Sequence, residues 1–138
     1  MTAQQARRRF EAARVARLAT ADADGRPHLV PIVFALAGAT IYSVVDAKPK
    51  RTTALRRLQN VRSNPRASVL VDHYDDADWS ALWWARADGA ARVLDPADPE
   101  ARRAVALLAE RHPQQRPAGP VLAVDVERWS GWSARGSG

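Results

Sequence analysis

The stretch with the most evident chemistry is "DAKPKRTTALRRLQNVRSNPR", residues 46 to 66. It holds seven bases, Lys48, Lys50, Arg51, Arg56, Arg57, Arg62 and Arg66, against one acid, Asp46. The whole chain has 21 bases and 15 acids, so fourteen of each remain elsewhere and the net charge of +6 sits in this stretch. A local excess of this kind suits a local anion better than a polyanion lying across a face. A helix is expected over about 52 to 61, with Thr52 or Thr53 as its N-cap and Leu55, Leu58 and Val61 turned inward. Lys48, Lys50 and Arg51 then crowd the positive end of the helix dipole, at a cost of roughly 0.3–1 kcal/mol each when exposed. An anion at that end reverses the sign of the effect and meets free backbone N–H groups. Arg56 and Arg57 point away from the leucine face and reach the same place, and the guanidinium fork matches a phosphate. Two other readings use the same residues: a solvated basic face, and a nucleic-acid-binding module over residues 48 to 66. The basic run has no interleaved aromatics on which bases could stack, which argues against nucleic acid as a partner.

Other reactive groups are sparse. There is no cysteine, which excludes disulfides, thiolate metal sites and a cysteine nucleophile. His28, His73 and His112 have no ligand spacing, and "DHYDDAD" lacks the glycine and distal glutamate of a calcium loop, so no metal site is expected. No serine lies in a nucleophile-elbow setting. With no acid–base set to assign, catalytic residues stay unnamed, and a bound cofactor is the natural carrier of any chemistry. Five tryptophans are present. Trp83 and Trp84 are neighbours on one expected strand and must face opposite sides, so one is expected to line a pocket and the other to pack.

These residues need a frame. At 138 residues and 46% hydrophobic content, one domain spanning 1–138 is expected. No basic leader with an apolar run opens the chain and no stretch reaches membrane-spanning length, so a soluble cytoplasmic protein is expected, without a membrane partner. A helix is expected at 3 to 14 with Phe10, Ala6 and Ala13 inward. The segments "VARLATAD", "RPHLVPIVFAL" and "TIYSVV" then read as a meander, turning at Gly25 and at residues 37 and 38. Pro27 and Pro31 suit an edge or a bulge better than a central ladder. "RASVLVDHY" and "WSALWWARADGAARVL" are strands, the second kinked or bulged at Asp88-Gly89. A helix capped by Asp98 or Asp95 and a final strand "VLAVDVERW" follow. The order αβββαββαβ implies a mainly β fold, β-barrel or α+β, with helices at the barrel ends.

Longer segments carry a resemblance. "IYSVVDAKPKRTTALRRLQNVRSNPRASVLVD", "HYDDADWSALWWARADGAARVL" and "VERWSGW" resemble the pyridoxamine 5′-phosphate oxidase-like FMN-binding split-barrel superfamily. Within it they resemble the PPOX-class oxidoreductases that depend on the deazaflavin coenzyme F-420. The resemblance implies a six-stranded antiparallel split β-barrel with flanking helices, a homodimer, and two equivalent cofactor sites at the interface. It implies hydride transfer between reduced coenzyme F-420 and a small organic substrate it does not name; an FMN-binding flavoprotein is the alternative. It implies phosphate contacts from the strand carrying Tyr42-Ser43 and from Arg56-Arg57, seven to eight positions before Asn64-Pro65, where relatives often have lysine second. It implies that "RPHLVP", with Pro31, lies along the ring, and that Trp83, Trp84, Trp129 and Asn60 stand near the cofactor. Tyr42 or a water is the expected proton donor. The superfamily's pyridoxamine phosphate oxidases continue into a motif with Arg, Leu and His where this sequence reads "SARGSG", so pyridoxamine phosphate is not the expected substrate.

Overall fold

The computed structural model describes the backbone of residues 1–46 and 51–135; the side chains of residues 46–55 and 118 lie outside the described part. Helix α1 is Ala3–Ala12, β1 Val15–Ala21, β2 Pro27–Val33, β3 Ala35–Ala37 and β4 Thr40–Asp46. Helix α2 is Arg51–Ser63, β5 Arg66–His73, β6 Trp83–Leu94, α3 Pro99–Arg111 and β7 Pro117–Ser133. The described residues form one antiparallel sheet of seven strands in the order β2-β1-β5-β6-β7-β4-β3. It is the half-barrel of a split-barrel fold, mainly β with flanking helices.

The seventh strand corrects the expected six, and the expected meander is corrected with it. "RPHLVPIVFAL" is not one strand. It breaks at Phe34, where Phe34 and Ala35 are buried in succession and the alternation of faces fails. β2 pairs with β1 and β3 pairs with β4, so the two halves of this segment end on opposite edges of the sheet. The edge position of β2 accommodates Pro27 and Pro31, which have no N–H for a second neighbour. Gly25 takes φ +82° in the β1–β2 turn, where the Asp22 carboxylate accepts the N–H groups of Asp24 and Arg26. The β6–β7 register shifts between Asp88 and Gly89, where a kink or bulge is expected. Trp79–Ala81 is a 3-10 turn, so β6 begins four residues later than the sequence suggests. Asp98 caps α3 by accepting the N–H of Glu100. Helix α2 starts at Arg51, which puts Thr52 and Thr53 inside it rather than at its cap.

Alternation along the strands builds the main core. Ala16 and Leu18, Val30 and Ile32, Val69 and Val71, Ala85 and Ala87, and Leu122 and Val124 face inward. Ala6 and Phe10 of α1 and Leu58 and Val61 of α2 close it. The Phe10 ring meets Phe34 and Trp129 edge to face, at centroid distances of 5.9 and 5.3 Å. A second core lies on the other face of β6-β7-β4, where Tyr42, Val44, Leu94, Val121 and Ala123 pack under Ala101, Ala104 and Leu108 of α3. No described helix packs on the outer face of β2, where Leu29 is 68% exposed and Pro31 is exposed. No described helix is long and apolar enough to cross a membrane.

Candidate functional site

Packing Leu58 and Val61 into the core fixes the rotation of α2 over the end of the β1–β2 ladder. Asn60, 4% exposed, donates from Nδ2 to Thr20 Oγ1 at 3.1 Å. Arg57 lies one turn earlier, at i−3, on the same side of the helix. Its side chain is half-buried, its Nε is buried without a partner, and no acid pairs with it among the described residues. Desolvation holds its pKa below the usual guanidinium value. His28 stands opposite Thr20 in the ladder, and its Nδ1 is also buried without a partner. Burial, then Arg57, then Arg56 hold the His28 imidazole below its ordinary range. A desolvated guanidinium with no carboxylate is costly unless a negative group meets it. The donors here fit an oxyanion. On the opposite face of the sheet, where Ala19, Ser68 and Asp88 stand side by side, lies a separate groove of about 570 Å³ whose polar residues include Arg66, Glu127 and Arg128. That is within the size range of small-molecule and cofactor sites.

Residues 2–133 match the family model described as pyridoxamine 5′-phosphate oxidase. The chain belongs to that family. No curated protein sequence matches it. Among solved structures it is similar to a conserved hypothetical protein from Mycobacterium tuberculosis, at 23% identity and a TM-score of 0.73, over 98% of this chain and 86% of that one. It is similar to the heme storage protein HutZ from Vibrio cholerae, at 16% identity and a TM-score of 0.70, over 94% and 92%. It is similar also to an FAD-binding protein from Mesorhizobium loti, at 23% identity and a TM-score of 0.67, over 95% and 94%. At these identities the likeness is one of fold.

On this family frame the expected site residues divide into groups. Arg57 and Asn60 come together on α2, and Arg56 is exposed beside them. Ser43 is buried on the Ile41 face of β4. Tyr42 points the other way, into the core under α3, and its hydroxyl donates to Glu100 Oε2 at 2.7 Å. Burial and that carboxylate raise its pKa, and its packing under α3 sets the Tyr42 hydroxyl on the face of the sheet opposite Ser43 and the main core. Pro31 lies on the outer face of β2. Trp83 faces inward against the main core with the Arg9 guanidinium 4.4 Å over its ring, and Trp129 faces inward against Phe10. Trp84 faces outward, paired with Trp132 across the β6–β7 ladder. Lys48, Lys50 and the Arg51 side chain lie outside the described residues.

Sequence reasoning missed two features. One is His28, set aside for want of ligand spacing; its position on the same face as Val30 and Ile32 was the available signal. The other is a polar cluster beneath α3. Arg92 donates to both oxygens of Glu100, at 2.8 and 2.7 Å, and to both of Asp125, at 2.7 and 3.1 Å. Bonds from Arg92 and then Tyr42 hold the Glu100 carboxyl at about 2. Because the folded value lies below the ordinary 4.5, the contribution to stability is complete above about pH 4.5 and is lost as pH falls towards about 2. Asp125, lowered mainly by Arg92, acts in the same direction. Glu100→Gln is therefore expected to melt lower than the parent near neutral pH, with a smaller further drop on acidification to about pH 3. Melting curves across that range check this; parallel acid profiles would refute it.

Proposed function

We propose that this chain is a coenzyme F-420-dependent oxidoreductase whose cofactor phosphate is held by Arg57, with Arg56 and Asn60 beside it. The observation that carries the proposal is the half-buried Arg57 guanidinium, with a partnerless Nε and no acid beside it among the described residues. Family membership supports a redox-cofactor role, and the segments "DHYDDADWSALWW" and "VERWSGW" support the deazaflavin type. When bound, reduced deazaflavin supplies a hydride to a polarised C=C, C=N or C=O bond. The residues of this chain anchor the anion and leave product protonation to water, because the Tyr42 hydroxyl is committed to Glu100.

FMN is the second reading, favoured by the FAD-binding protein among the structural neighbours. Tryptophan-fluorescence titrations with F-420 and FMN side by side separate the two. Saturable F-420 binding with weak or absent FMN binding is expected; tight FMN binding without F-420 binding moves the assignment to FMN.

The uncovered face of β2 and β1, with exposed Leu29, Pro31 and Val15, supports a homodimer with the cofactor at the interface. Light scattering is expected to give twice the chain mass, and Leu29→Asp to shift the particle towards monomer. A monomeric parent at micromolar concentration would remove the interface from the proposal.

A further inference from the structure

His28 has a setting unlike that of the other two histidines. His73 stacks on Trp83, and the His112 Nε2 lies 3.1 Å from the Phe34 carbonyl oxygen. His28 lies on β2 opposite Thr20, and Thr20 takes the Asn60 side chain from the same α2 turn that carries Arg57. Two orphaned buried nitrogens therefore share one small region, Nε of Arg57 and Nδ1 of His28.

The charges bearing on this imidazole from α2 are Arg57 and Arg56, both cationic. Thr20, facing it from β1, does not titrate. In the adjoining turn Asp22 binds the backbone of Asp24 and Arg26 and interacts with the Arg26 and Arg56 charges. No carboxylate among the described residues acts on His28.

We propose that His28 is a proton-linked ligand of the Arg57 site, taking up one proton as an oxyanion binds and donating a hydrogen bond to it. The inference rests on the reading that Arg57 holds a cofactor phosphate. Its physical basis is a reversal of sign. In the free protein the guanidiniums and burial oppose a charged imidazole. An oxyanion between them offsets the repulsion and supplies the acceptor that Nδ1 lacks. The anion raises the imidazole pKa, and by linkage protonation raises anion affinity. Affinity is therefore greatest on the acid side, falls as pH rises through the interval between the free and bound imidazole values, and levels off above it. Each unit of separation corresponds to about a tenfold change in affinity.

Sulfate is a suitable probe, because it does not titrate across this range. The imidazole C–H resonances of all three histidines are followed by NMR against pH, with and without saturating sulfate, and His28 is assigned by its loss in His28→Asn. Sulfate binding is followed separately at the Arg57 Nε–H resonance. The expected result is a His28 midpoint that rises on adding sulfate while those of His73 and His112 stay in place. In Arg57→Ala the free midpoint is already raised and no longer responds. His28→Asn is expected to bind sulfate with a pH-independent affinity, weaker than the parent's by about tenfold on the acid side. If sulfate saturates Arg57 while the His28 midpoint stays fixed, or if His28→Asn keeps the parent pH profile, the inference is overturned and the anion site stands. If sulfate, F-420 and FMN all leave the Arg57 resonance unmoved, the anion site itself falls and the inference with it.

Discussion

Replacing Arg57 with alanine is expected to weaken cofactor binding by about 1.5–3 kcal/mol, roughly ten- to 150-fold in dissociation constant, the scale of a charge-assisted hydrogen bond. The same change is expected to leave thermal stability unaltered or slightly raised. Most half-buried arginines lose stability on truncation because a carboxylate is left behind, but Arg57 has none among the described residues, and its removal abolishes a desolvation cost. Loss of binding without loss of stability separates a ligand-binding cation from a structural one. Arg57→Lys keeps the charge but loses the planar fork, so intermediate affinity is expected. Titration of the two variants, paired with their melting curves, checks all three statements. An unchanged dissociation constant in Arg57→Ala would place the phosphate elsewhere.

Gly89→Ala is expected to cost about 3 kcal/mol, lowering the melting temperature by roughly 10 °C, at the upper end of the overpacking range. A Cβ on Gly89 would stand 2.1 Å from the Asp125 carbonyl oxygen and 2.9 Å from its carbon. Both are backbone atoms of β7, so no rotamer change relieves the clash. Gly89 lies at the register shift where β6 and β7 slip past one another. That slip seats Arg128 opposite Asp88 on the outer face of the sheet, so the strain is expected to disturb that groove as well. A melting temperature within about 2 °C of the parent would mean that the bulge relaxes freely.

The local patterns of the sequence were enough to determine the helices, most strands and the basic helix that carries Arg57. They also located the Gly25 turn, the irregularity at Asp88-Gly89 and the opposed faces of Trp83 and Trp84, and narrowed the α3 cap to Asp98 or Asp95. Each of these follows from interactions within a few residues: alternation of period two, a capping side chain, a glycine's freedom at positive φ. The tertiary structure decided what those patterns leave open. Alternation says that Tyr42 and Ser43 face opposite ways, but only the packing of α3 against β4 and β7 decides which of them meets Glu100. Alternation says that His28 and Pro31 part company, but only the seating of α2 on Thr20 decides that His28 joins Arg57. The break at Phe34 belongs to the same class, since β2 and β3 find their partners on opposite edges of the sheet. Those pairings join residues far apart in the chain, and their choice depends on how the whole core fills space, a property that no single segment carries.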